Sequence, residues 1–161
     1  MISILPLRLL PRVRPVAAAD YFLKHKLLAW FALDVVGIVP LNRARTDARE
    51  DLLAPIMAAL ERGDILIFFP EGSRGEPEQL AEFKTGIARV AERRPDVDVI
   101  PVFTYGLGKA LPKGEWMIVP FFVDIFVGEP LKFDGDRDAY MQHYRDAMLA
   151  LANEEKHSDW L

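Results

Sequence analysis

The sequence predicts an α/β layered fold, with a largely parallel or mixed central sheet flanked by helices. Three observations predict it. Short continuous apolar runs, such as residues 65–69, suit strands buried on both faces. Helical patterns lie between these runs, so strands and helices alternate along the chain. The chain has 161 residues, 51% of them apolar, which is enough for one domain with a sizeable core. No internal repeat or low-complexity linker divides it, so residues 1–161 are read as a single domain.

The elements follow in order. Residues 13–18 form a short apolar strand. Residues 21–34 read as a helix behind Asp20, a candidate cap, and residues 35–41 are a further candidate strand. Residues 47–62 read as a helix with Asp47 and Glu50 at capping-box spacing. Its apolar residues Leu52, Leu53, Ile56, Met57 and Leu60 share a face, and Gly63 stops it. Pro55 inside that span predicts a kink or a later start. A strand over 65–69 is closed by Pro70, and a helix covers 83–93. Strands over 97–104 and 121–127 end at Tyr105-Gly106 and Gly128. A last helix over 138–153 places Tyr140, Tyr144, Met148 and Leu151 on one side.

Composition narrows the function. There is no cysteine, which excludes disulfides, a thiol nucleophile and thiolate metal sites. The net charge of −4 argues against a nucleic-acid partner. Charge is unevenly spread. Residues 1–45 carry Arg8, Arg12, Arg14, Lys24, Lys26, Arg43 and Arg45 against Asp20 and Asp34, a balance of +5, so the rest carries −9. The basic part is also rich in Leu, Ile, Val, Phe and Trp, a mixture that suits an anionic membrane surface. A solvated face beside a buried one is the alternative. No apolar run is long enough to span a bilayer, since Asp34 interrupts 27–41 and Pro120 and Asp124 break 117–127. Any contact with a membrane is therefore expected to be peripheral, at its cytoplasmic face.

Four segments carry chemistry. In Ile65-Leu-Ile-Phe-Phe-Pro-Glu-Gly-Ser-Arg-Gly75 a buried strand stops at Pro70 and opens into a glycine-bearing loop. Gly72 lets backbone approach a ligand, Ser73 offers a hydroxyl, and Arg74 offers a planar fork that matches phosphate. Loops at the carboxyl ends of strands are where open α/β sheets bind ligands. In Gly37-Ile-Val-Pro-Leu-Asn-Arg43 an arginine follows an apolar run and precedes a helix, whose N-terminus favours anions. Phe83-Lys-Thr-Gly86 places Lys84 and Gly86 at a helix start. Val99-Ile-Pro-Val-Phe-Thr-Tyr-Gly106 has no ionisable residue for acid–base work and shapes an apolar wall. A surface arginine or a solvated lysine is the plainer reading of each cation taken alone.

Together these segments resemble the glycerol-phosphate and lysophosphatidate acyltransferases (the 1-acyl-sn-glycerol-3-phosphate acyltransferase type). Phe69-Pro-Glu-Gly-Ser-Arg74 resembles the family's Phe-Pro-Glu-Gly-Thr-Arg block, with Ser73 keeping the hydroxyl. The segments 37–43, 83–86 and 99–102 resemble the arginine, Phe-Lys-x-Gly and proline blocks. Ala110-Leu-Pro-Lys-Gly114 and Val127-Gly-Glu-Pro130 resemble later stretches. The order agrees from about residue 8 to residue 133.

The resemblance implies transfer of an acyl group from a coenzyme A or acyl-carrier-protein thioester to a hydroxyl of a lysophosphatidate-like acceptor, in phospholipid biosynthesis. It implies that Arg43, Ser73, Arg74 and Lys84 hold the acceptor phosphate. Glu71 supports the loop or orients the acceptor, and Gly72, Gly86 and Pro101 shape the site. No bound cofactor and no metal is implied; the acyl thioester is a co-substrate.

One departure matters. The family's base is the histidine of His-x-x-x-x-Asp, which takes the acceptor hydroxyl's proton as its oxygen attacks the thioester. The residue five places after His25 is Trp30, and five after His143 is Met148; His157 is followed only as far as Leu161. Counting back from Arg43 places the histidine block at or before Met1, so the domain is expected to be N-terminally incomplete. The chain alone is then expected to bind acceptor phosphate and turn over little. The alternative is a non-catalytic lipid-phosphate-binding or regulatory module.

Overall fold

The structure is a computed structural model of the 161-residue chain, and it describes residues 5–18, 26–41, 51–72, 80–106 and 123–154. These fall in two compact units, Met1–Phe69 and Pro70–Leu161.

The first unit is built on three parallel strands. A 3₁₀ turn, Leu7–Arg12, leads into β1, Val13–Ala18. Helix α1, Lys26–Trp30, runs directly into a π-helical turn, Phe31–Val35, in which the Val36 amide donates to the Phe31 carbonyl at 3.0 Å. Gly37 ends it in a left-handed conformation, with φ 71°, and β2, Val39–Leu41, follows. Helix α2, Ala54–Glu61, leads to β3, Ile65–Ile67. The sheet order is β2-β1-β3.

Strand β1 is central by a stagger. Val13, Arg14 and Pro15 pair with Ile65, Leu66 and Ile67, whereas Val16, Ala17 and Ala18 pair with Val39, Pro40 and Leu41. Each half of β1 thus has one partner strand, which explains how a strand between two others accommodates Pro15, a residue with no amide to donate. Pro40 is tolerated because, among the described residues, β2 pairs with β1 on one side only. Val13, Val16, Ala32, Val39, Leu53, Ile56 and Ala59 make the buried core of this unit.

In the second unit α3, Gly86–Arg93, and α4, Arg137–Glu154, pack together, and α4 also covers an antiparallel pair. That pair is β4, Val102–Tyr105, and β5, Asp124–Val127, in the register Val102↔Val127 to Tyr105↔Asp124. Asp136 caps α4 by accepting from the amides of Asp138 at 2.8 Å and Ala139 at 3.3 Å. Tyr140, Met141, Tyr144, Met148 and Leu151 form its buried stripe, facing Phe83, Ile87, Val90 and Phe103 among others in the same core.

Several expected boundaries shift for identifiable reasons. Helix α2 begins near Pro55 rather than at residue 47, since a proline is accommodated only in the first turn; residues 42–50 lie outside the described part. The candidate strand 35–41 shrinks to Val39–Leu41, because the π turn and the left-handed Gly37 occupy its first half. The strand expected over 97–104 starts at Val102. Pro101 precedes it, and only Val99 makes an isolated bridge, to Leu131. The strand expected over 65–69 is shorter, at Ile65–Ile67; of the strand expected over 121–127 the described residues form Asp124–Val127, and 121–122 lie outside the described part. The helix expected over 83–93 starts at Gly86. On α4, Gln142 Nε2 donates to Asp146 Oδ1 at 2.9 Å.

Candidate functional site

Strand β3 delivers the chain to Pro70-Glu-Gly72, and one main-chain bond fixes what lies beside it. The Lys84 amide donates to the Pro70 carbonyl at 2.8 Å. This joins the loop of the Phe-Pro-Glu-Gly block to the Phe-Lys-Thr-Gly block. Gly72 has φ 70°, and a Cβ placed on it would lie 3.6 Å from Lys84 Cγ. The lysine stem therefore runs alongside a backbone that has no side chain of its own, and Lys84 is itself exposed.

Phe83, next to Lys84, anchors this junction. It is 6% exposed and meets Tyr144 of α4 edge to face, with ring centroids 5.3 Å apart. Glu71 lies near enough to act on the same tyrosine. Burial, helped by Tyr140 and by the Glu71 carboxylate, pushes the Tyr144 hydroxyl up to about 12. A cavity of about 230 Å³ opens beside Phe83, lined also by Leu80, Glu82, Arg145 and Leu149.

Pro101 is fully buried, and its carbonyl accepts from the Gly128 amide at 2.9 Å. A Cβ on Gly128 would stand 3.3 Å from Leu151 Cδ1 and 3.6 Å from Pro101 Cγ. The proline block and the Val127-Gly-Glu-Pro130 block therefore meet at a contact that favours glycine. Gly86 is the first residue of α3, after Thr85.

The structure thus brings Glu71, Gly72 and Lys84 together, and sets Pro101 in the core of the same unit. Arg43, Ser73 and Arg74 lie outside the described residues, as do His25 and the block 110–114. The packing of Phe83 on Tyr144 was not singled out from sequence. Its one signal there was a tyrosine inside the apolar stripe of the last helix. The role of Gly128 had no signal beyond its place in a recognised block.

The first unit holds a different feature. A cavity of about 420 Å³ is lined by Arg14, Leu33, Asp34, Gly37 and Arg62 among others. The Arg14 guanidinium covers the face of Gly37 where a Cβ would project. Arg14 stands near the amino end of β1 and Gly37 before the amino end of β2, whereas Arg43 follows the carboxyl end of β2 in the chain.

A family model described as Acyltransferase matches residues 1–105. The chain belongs to the acyltransferase family. Among curated acyltransferases it is 36% identical, over 88 residues, to the chloroplastic 1-acyl-sn-glycerol-3-phosphate acyltransferase LPAT1 of Arabidopsis thaliana, covering 55% of this chain and 24% of that one. It is 34% identical over 88 residues to the chloroplastic 1-acyl-sn-glycerol-3-phosphate acyltransferase BAT2 of Brassica napus, covering 55% of this chain and 25% of that protein. The chain thus spans about a quarter of the length of these relatives. Its fold is similar to the crystal structure of the 1-acyl-sn-glycerophosphate (LPA) acyltransferase PlsC from Thermotoga maritima. That likeness has a TM-score of 0.68 at 23% identity and covers 93% of this chain and 59% of that one. The α/β acyltransferase fold expected from the sequence is therefore the fold observed.

Proposed function

We propose that this acyltransferase-family chain binds the phosphate of a lysophosphatidate-like phospholipid, and that in catalysis the acceptor's free hydroxyl takes an acyl group from an acyl-coenzyme A or acyl-carrier-protein thioester. The observation that carries the reading is the Lys84–Pro70 bond, which sets Lys84 beside Gly72, the residue that precedes Ser73 and Arg74 in the sequence. A lysine ammonium, an arginine fork and a hydroxyl suit a phosphate monoester. The family resemblance assigns Arg43 to the same phosphate. Glu71 supports the loop, and Pro101 shapes the site. The relatives' names support the acceptor class.

The chemistry needs a base. The acceptor oxygen attacks the thioester carbonyl, its proton leaves, and the thiol departs. The sequence has no His-x-x-x-x-Asp to take that proton, and this favours a second reading, binding without turnover. One sample separates the two: titrate the 161-residue chain with lysophosphatidate, then add acyl-coenzyme A and follow product. The proposal expects saturable binding with transfer about 10²–10⁴-fold below that of an enzyme containing the histidine block. Rapid transfer overturns the account of the missing base. Absence of binding overturns the phosphate cradle.

A further inference from the structure

We infer that Tyr144 of α4 is a positioning residue for the loop at Glu71: its ring seats the segment that carries Lys84, and its hydroxyl holds the Glu71 carboxylate away from the acceptor phosphate. The inference rests on the phosphate site proposed above. The blocks that resemble the acyltransferases end before α4 begins at Arg137, so none of them gives this tyrosine a role. Tyr144 is 6% exposed, and its ring meets Phe83 edge to face with centroids 5.3 Å apart. Phe83 precedes Lys84, whose amide donates to the Pro70 carbonyl at 2.8 Å. One ring of α4 therefore packs on the residue next to the bond that joins loop and lysine.

Helix α4 carries two buried tyrosines one turn apart, Tyr140 and Tyr144. Burial alone raises the Tyr140 hydroxyl, which has no hydrogen-bond partner among the described residues. Burial also raises Tyr144, but there Tyr140 and the Glu71 carboxylate add to it, so Glu71 lies within electrostatic reach of this hydroxyl. A neutral phenol can donate, and a carboxylate can only accept. An O–H donated to Glu71 is a charge-assisted bond. It gives the carboxylate a partner at a place where a free negative charge would oppose a bound phosphate. Glu71 adjoins Gly72, along whose backbone the Lys84 stem runs. A swing of that carboxylate toward the lysine would also compete with phosphate for the ammonium. Phenylalanine would fill the apolar stripe of α4 as well, so the hydroxyl is what distinguishes the tyrosine.

Tyr144→Phe keeps the ring and removes the hydroxyl alone, so the test is a cycle on the intact chain: the unaltered protein, Tyr144→Phe, Glu71→Gln, and both together. Calorimetric titration with lysophosphatidate should show affinity falling about tenfold in Tyr144→Phe. The same substitution made in Glu71→Gln, where no charge is left to hold, should change affinity by less than about twofold. A monoacylglycerol of the same acyl chain should bind the unaltered chain and Tyr144→Phe alike. Urea unfolding of the same proteins without ligand should be non-additive, because the hydroxyl and the carboxylate already interact in the free protein. Unchanged affinity in Tyr144→Phe overturns the inference, as does an equal loss in both backgrounds, which is what packing alone would give. Additive unfolding overturns it as well, with no ligand involved. Failure of the unaltered chain to bind lysophosphatidate contradicts the phosphate site, whereas additive unfolding contradicts the hold of Tyr144 on Glu71, so the two failures are distinct.

Discussion

The Lys84 amide donates to the Pro70 carbonyl at 2.8 Å, across fourteen positions of sequence, and thereby ties together two segments that sequence shows only as separate blocks. The phosphate site proposed at this junction would depend on charge at its rim and on packing beneath. Replacing Arg74 with Ala should remove a charge-assisted, bidentate contact. We expect lysophosphatidate binding to weaken by about 10–100-fold. Lys84→Ala should act in the same direction and less, because an ammonium is a point charge. Equal affinity in both variants would remove these residues from the site.

The packing beneath predicts a different response. Phe83→Ala deletes a buried ring and its edge-to-face contact with Tyr144. It should cost about 3–5 kcal/mol of stability, read by urea unfolding of the whole chain. A loss below 1 kcal/mol, on the order of a surface substitution, would mean that Phe83 does not anchor the junction.

The turn after α2 predicts a glycine requirement. Gly63 has φ 76°; its amide donates to the Leu60 carbonyl at 2.9 Å, and the Asp64 amide donates to Ala59 at 3.0 Å. That pair of bonds is a Schellman closure. The Arg12 guanidinium also donates to the Gly63 carbonyl. Gly63→Ala should destabilise by about 1 kcal/mol, because a side chain disfavours the left-handed region. No change in the unfolding midpoint would contradict the turn.

How much of this was legible in the sequence depends on where prolines and glycines fall. Strand β1 was legible to the residue, because Val13–Ala18 is a short stretch that is apolar apart from Arg14. Helix α4 was legible to within one residue at each end, since its buried stripe recurs at helical spacing. Pro55 and Pro101 moved the starts of α2 and β4, because each removes an amide that the longer element would have used. The antiparallel pairing of β4 with β5 and the stagger of β1 between its neighbours are long-range facts, which local pattern does not encode. At the candidate site, Glu71, Gly72 and Lys84 were named from the blocks, and the structure brings them together. The bond between Lys84 and Pro70 was not legible, because any residue but proline can donate such an amide.

Tyr140 makes a prediction about a group that gains nothing from its position. Its ring is 1% exposed, packed against Phe133 at 5.7 Å, and its hydroxyl has no hydrogen-bond partner among the described residues. A buried hydroxyl without a partner is unfavourable. Tyr140→Phe should therefore leave stability unchanged or raise it by about 1 kcal/mol. A clear loss in a denaturant titration would reveal a partner for that oxygen.

Alkaline pH offers a further check. Burial pushes both Tyr140 and Tyr144 up to about 12. A raised pKa on an acid means that the folded state favours the neutral phenol. The associated stability is fully present below the unfolded value, about 10, and is lost as pH rises towards 12, the value for both folded-state hydroxyls. Unfolding free energy should fall through that window, and the fall should shrink in Tyr140→Phe/Tyr144→Phe. An identical alkaline limb in the double variant would place the loss elsewhere.

The most direct test of the central claim is calorimetric titration of the 161-residue chain with lysophosphatidate, compared with a monoacylglycerol of the same acyl chain. The two ligands differ only in the phosphate. Saturable binding of the first, weakened in Arg74→Ala, with the second at least tenfold weaker (order of magnitude), is the predicted result. Equal affinity for both ligands would show that the chain recognises the acyl tail alone, and would contradict a phosphate cradle at Gly72, Arg74 and Lys84.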